Sequence, residues 1–127
     1  ILSLHIESPI TRPELFSKLF WTLKSVFPIV KPMTNYVPLY GTLWGFALAS
    51  KTQDPTSVDK KTLAERIAKH NLPQLQFYNE DTHHSLFALP NYVREMIKAE
   101  QQPIRKGDTL PVPAGSKRNL YLTEAEG

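Results

Sequence analysis

The chain has 127 residues with 41% hydrophobic and 21% charged side chains, which fits one compact domain with enough apolar material for a core and excludes wholesale disorder. Fifteen Lys and Arg against twelve Asp and Glu leave +3, too weak a bias to point to nucleic acid or an anionic membrane. The lack of cysteine excludes disulfides, thiol nucleophiles and Cys-ligated metal centres, and it suits a reducing, cytoplasmic setting.

Residues 1–8 read as a strand, because Leu2, Leu4 and Ile6 alternate with Ser3, His5 and Glu7. The second set would place an imidazole and a carboxylate on one face. Starting inside an apolar strand, with no initiator Met or basic leader, leads us to expect more chain upstream to pair with it. Thr11-Arg12-Pro13-Glu14 then signals a helix start, with Thr11 as cap and Glu14 reaching back to it. Leu15, Phe16, Leu19, Phe20, Leu23, Val26 and Phe27 follow at three- and four-residue steps, so the helix should carry one broad apolar stripe until Pro28 stops it.

Val30–Val37 and Leu43–Ala49 are apolar runs joined by a Pro- and Gly-containing turn, a hairpin-like pair of strands. The second run is apolar on both faces, which predicts a strand inside a sheet covered on both sides. Asp59 should cap a short helix to about Lys69 that turns Leu63 and Ile67 inward and stops at Asn71. Asn79 or Asp81 should cap another through Phe87, and Pro90 should open a last one carrying Tyr92, Val93, Met96 and Ile97. After Lys98 the periodicity fails, and residues 99–127 read as a loop-rich Pro- and Gly-containing tail that orders only where it docks. The sequence holds no transmembrane run of about 18 apolar residues.

The stretch Asn35-Tyr36-Val37-Pro38-Leu39-Tyr40-Gly41-Thr42-Leu43-Trp44-Gly45-Phe46-Ala47-Leu48-Ala49-Ser50-Lys51 resembles the late hairpin of the spermidine synthase, or polyamine aminopropyltransferase, family. There a Pro-Thr-Tyr-Pro-Ser-Gly loop leads into a strand ending in Ala-Ser-Lys or similar. A second block in the right order, Tyr78-Asn79, His83 and Phe87-Ala88-Leu89-Pro90, is similar to the family's closing stretch. The resemblance covers about residues 1–98. It implies an α/β fold, the C-terminal part of a methyltransferase-like, Rossmann-type doubly wound sheet with a β-hairpin and short C-terminal helices.

The same resemblance implies transfer of an aminopropyl group from decarboxylated S-adenosylmethionine to a diamine such as putrescine, with no metal. The family's glycine-rich cofactor loop, ribose-binding acid and amine-deprotonating aspartates have no counterpart among these residues. The chain alone should therefore be inactive, supply the amine-side wall, and need either a polypeptide carrying the cofactor half or a homo-oligomer of the full-length enzyme. A non-catalytic interaction module that keeps the family fold is the alternative.

Four residues are the substrate-binding candidates. Tyr40 aligns with the family tyrosine whose hydroxyl contacts the amine, although the loop is one residue short. Glu7 matches a family carboxylate near the amine, and His5 replaces a glutamine there. These departures leave room for agmatine, cadaverine or a longer polyamine as acceptor. Trp44 is the fourth, as an apolar wall beside the substrate or as core. His83 reads as a structural hydrogen-bonding residue, and His83-His84 with Glu80 and Asp81 lack zinc-site spacing.

Overall fold

A hairpin supplies most of the sheet. The computed structural model describes residues 1–72 and 74–111. In it β1 (Leu2–His5), β2 (Ile29–Val37) and β3 (Thr42–Ser50) form a three-stranded sheet in the order β1-β3-β2. Both neighbours run antiparallel to β3. β1 and β2 are therefore parallel to each other, joined by the crossover helix α1 (Pro13–Lys24). The hairpin turn is a single 3-10 turn, Pro38–Tyr40, closed by Gly41 at φ 65°, a left-handed backbone that glycine adopts without a Cβ penalty.

Register decides which face of the sheet is buried. Leu4 lies opposite Ala47, and Val30 and Leu2 flank Ala49. This face packs on α1, and Ile6, Phe16, Phe20, Val30, Ala47, Ala49 and Val93 form the core. Small residues on β3 let the helix come close. A Cβ on Gly45 would stand 2.4 Å from Phe16 Cε2 and 2.5 Å from the Glu7 carbonyl oxygen, so only glycine fits. The opposite face of β3 carries Trp44, Phe46 and Leu48, which are only half-buried. The expected cover on both faces is thus complete on one side alone among the described residues.

Three further helices follow: α2 (Lys60–Lys69), α3 (Glu80–Leu86) and α4 (Asn91–Ala99). Asp59 caps α2 by accepting from the Thr62 amide at 2.9 Å, and Asn71 at φ 50° ends it. Asn79 and Thr82 form a reciprocal capping box on α3. α4 packs on α1 through fully buried Val93, with Met96 and Ile97 against the core. Tyr92, beside Val93 on the same helix, is exposed.

Two expectations about α1 need correction. The Thr11–Glu14 cap does not form: Arg12 occupies the N-cap position and its side chain makes no capping bond, and Ser8 organises the turn instead. The buried Ser8 hydroxyl accepts from the amides of Ile10 and Thr11, both at 3.1 Å, and donates to the Leu43 carbonyl at 2.8 Å. The helix also ends at Lys24 rather than continuing to Phe27. Phe27 precedes a proline, which disfavours helical geometry, and Val26 is left exposed.

The chain after α4 does dock in its described part. Lys18 Nζ pairs with Glu100 Oε1 at 3.3 Å, and the Ile104 amide donates to Thr22 Oγ1 at 2.8 Å. A turn at 105–108 follows, held by the Arg105 amide donating to Asp108 Oδ2 at 2.8 Å. The chain then returns to the start of α1, where the Pro111 carbonyl accepts from Arg12 Nη2 at 3.1 Å. Residues 112–127 of the tail expected over 99–127 lie outside the described residues.

Candidate functional site

The free face of the sheet gathers the aromatic candidates. His5 lies opposite Phe46 in register, and Trp44, two residues before Phe46 on β3, shares its face. The His5 ring meets Phe46 edge-on with centroids 4.8 Å apart. Trp44 Nε1 donates to His5 Nδ1 at 3.1 Å. That bond requires Nδ1 to be the unprotonated nitrogen, which leaves Nε2 to carry the ring proton. Tyr40, the last residue of the 3-10 turn, tilts onto Trp44 with ring centroids 4.5 Å apart. Sequence spacing does not show that these three touch; the pairing of β1 with β3 brings His5 to Trp44, and the hairpin turn folds Tyr40 onto it. Phe46 was missed as a member, and its alternation with Trp44 was the available signal.

Glu7 sits differently from the strand reading. β1 stops at His5, and Glu7 has φ 69°, a left-handed conformation uncommon outside glycine and asparagine. The Ile6 amide donates to the Gly45 carbonyl and the Gly45 amide donates to the Glu7 carbonyl, both at 2.9 Å. Two residues thus face one, the pattern of a β-bulge, and such bulges re-aim side chains. The expected shared face of His5 and Glu7 is broken here. The Glu7 carboxylate instead meets Arg12, with Oε1 3.5 Å from Nη1 and both side chains about a quarter exposed. Arg12 was not among the sequence candidates. Its partner Pro111 is 99 residues away, and Glu7, though near in sequence, meets it across the bulge rather than at any regular spacing.

The chemistry available is that of an open wall. Aromatic faces can lie along a methylene chain or attract a cation, and a carboxylate can hold an ammonium. A separate cleft of about 580 Å³ opens at the other end of β1, between the 52–58 loop and α2, with Ile1, Leu63, Tyr78 and His83 in its wall. There His83 is held at both nitrogens. Nε2 lies 2.7 Å from the Pro55 carbonyl, which can only accept, so Nε2 donates. Nδ1 then accepts from the Tyr78 hydroxyl at 2.7 Å. This is the hydrogen-bonding role expected for His83, and partial burial raises the Tyr78 hydroxyl above its ordinary range. Among the described residues, no group of three or more His, Asp or Glu side chains is placed to hold a metal ion. None of their helices is long and apolar enough to cross a membrane.

Comparison with known proteins decides the relationship. The polyamine aminopropyltransferase of Nitrosomonas europaea is 41% identical over 110 residues, 87% of this chain and 34% of the relative. The chain is a homologue of the polyamine aminopropyltransferases, the spermidine synthase family. The Sulfolobus acidocaldarius polyamine aminopropyltransferase is 34% identical over 107 residues, covering 84% of this chain and 35% of its own. The crystal structure of spermidine synthase from Thermotoga maritima superimposes with a TM-score of 0.67 at 30% identity, covering 76% of this chain and 33% of that one. A spermidine synthase in complex with the transition state analogue AdoDATO gives a TM-score of 0.66 at 31% identity. No protein-family model matches the chain. The match is with the C-terminal portion of the aminopropyltransferases, and the α/β fold class expected from the hairpin motif is the one found. The chain spans about a third of the length of the curated aminopropyltransferases it matches.

Proposed function

We propose that this chain forms the amine-side wall of a cytoplasmic aminopropyltransferase acting on a diamine such as putrescine. The observation that carries the reading is the contact of Tyr40, Trp44 and His5 on one sheet face, in a chain 41% identical to a polyamine aminopropyltransferase. Glu7 lies two residues past the end of β1, and its carboxylate would anchor the ammonium at the far end of the acceptor. Tyr40 and Trp44 would line the methylene chain, with the Tyr40 hydroxyl bonding the amine. His5 Nε2–H would face the acceptor as a donor.

Decarboxylated S-adenosylmethionine would supply the electrophilic methylene next to a sulfonium. The described residues fit it only as an aromatic wall, so its grip must come from a polypeptide carrying the cofactor-binding half or from a homo-oligomer of the full-length enzyme. The acceptor amine, unprotonated at its reacting end, forms the new C–N bond while the C–S bond breaks; methylthioadenosine leaves and the amine loses a proton. This chain's part is alignment, where holding reactants in line accounts for much of the rate.

A second reading, a non-catalytic interaction module, draws on the fact that Glu7 and His5 Nδ1 both already have partners within the chain. The test separates the two. The chain is combined with a polypeptide carrying the cofactor half, and aminopropyl transfer is assayed with putrescine, agmatine and cadaverine. Activity that falls about 10- to 100-fold in Glu7→Gln, the size of a lost charge-assisted hydrogen bond, supports the enzyme reading. Complex formation without transfer to any acceptor supports the module.

A further inference from the structure

We infer that Arg12 is a built-in competitor for the Glu7 carboxylate, held in place by the docked segment 100–111, and that it sets how strongly the site takes a cationic amine. The inference rests on the reading of Glu7 as the amine anchor.

Three observations meet at this side chain. Arg12 Nη1 stands 3.5 Å from Glu7 Oε1, a single long contact rather than a bidentate one. A lone contact neutralises the carboxylate but leaves most of its lone pairs open to another donor. Arg12 Nη2 donates to the Pro111 carbonyl at 3.1 Å, so the guanidinium bridges the strand end and the returning segment. Its Nε is buried and has no hydrogen-bond partner among the described residues. A buried donor without a partner is costly, so the guanidinium is not at rest in a fully satisfied site. The segment that holds it is anchored separately on α1, through Glu100 to Lys18 and the Ile104 amide to Thr22.

The arrangement makes Glu7 and Arg12 a pair of zero net charge. An arriving ammonium must displace the guanidinium from the carboxylate or share it against a like charge. Either way the affinity for a diammonium is lower than a free carboxylate would give. The same guanidinium holds Pro111 through Nη2, so an amine that swings it off Glu7 also pulls on that bond; amine binding and loosening of the segment are then coupled, and by linkage the coupling runs both ways.

The experiment uses the full chain, with 1,4-diaminobutane as the probe. Nuclear magnetic resonance reads its affinity, and hydrogen exchange reads the amides of residues 104–110. Arg12→Gln is expected to tighten diamine binding about three- to fivefold, the size of one partly exposed charge pair, and to speed exchange over 104–110. In a Glu7→Gln background the same substitution should leave affinity unchanged. Exchange over 104–110 that is the same in Arg12→Gln as in the parent overturns the inference whatever the amine does. So does an affinity that stays level or falls in Arg12→Gln while Glu7→Gln still weakens binding, and that result leaves the Glu7 anchor standing. Binding that Glu7→Gln does not weaken, or no binding by any variant, overturns the anchor and this inference together.

Discussion

Trp44 Nε1 donates to His5 Nδ1 at 3.1 Å, joining two residues that the sequence separates by 39 positions. The bond fixes the imidazole tautomer on the open face of the sheet, so the ring presents Nε2–H outward. Trp44→Phe keeps the aromatic ring and removes the donor. The variant should stay folded, while the nitrogen-15 shifts of the His5 ring move from one tautomer to a mixture of two. Unchanged ring shifts would show that the indole does not set the tautomer.

Gly45 has no room for a side chain, because both the Phe16 ring and the Glu7 carbonyl occupy the place of its Cβ. One of these obstacles is backbone and cannot rotate away. Gly45→Ala is expected to destabilise the fold by about 1–3 kcal/mol, the usual range for overpacking. Urea unfolding measures it, and a midpoint equal to that of the parent would contradict the close approach. Exchange of the Ile6 and Gly45 amides should rise in the same variant, since both bonds cross that bulge.

Neighbouring residues on α4 provide a contrast. Val93 is fully buried and Tyr92 is 46% exposed. Val93→Ala removes two buried carbons and leaves a cavity, for an expected loss of about 2 kcal/mol. Tyr92→Ala should fall within about 0.5 kcal/mol of the parent. Thermal unfolding of the pair checks which face of the helix is docked.

Acid should weaken the fold through specific carboxylates. The Thr56 hydroxyl holds the Asp54 carboxyl below its ordinary value, the Thr62 amide does so for Asp59, and Lys60 does so for Asp81. A depressed carboxylate contributes stability that is complete above its unfolded value of 3.8 and is lost as pH falls through the lower, folded value. Unfolding midpoints should thus be flat from pH 7 to about 5 and decline below about 4. Asp59→Asn keeps a capping side chain and removes one titrating group, so it should flatten that decline. A decline as steep as the parent's would remove Asp59 from the account.

What the sequence made legible was local. Asp59 and Asn79 cap the helices they were expected to cap, and the Pro38–Gly41 turn joins the expected strands, because each signal and its partner lie within a few residues. The expectations that failed depend on distant partners. Thr11 lost the capping role to Ser8, whose hydroxyl is fixed by the Leu43 carbonyl 35 residues on. Glu7 left the strand period because Gly45 draws two residues into a bulge. Arg12 went unnoticed because the Pro111 carbonyl it meets is 99 residues away. At the candidate site, a family resemblance points to Tyr40, Trp44 and His5, but it is the pairing of β1 with β3, across 39 positions of sequence, that puts the His5 ring against Trp44.

Insertion of β3 between two parallel strands also sets an order of assembly. The hairpin of β2 and β3 needs only a short turn, whereas pairing Leu2 with Ala49 must close a loop of more than forty residues around α1. Loop entropy favours the short closure first, so β1 joins last and its edge is the first to come away. His5 and Glu7 ride on that late edge, while Tyr40 and Trp44 ride on the early hairpin. Partial unfolding would therefore split the candidate site down its middle before the core around the hairpin is lost.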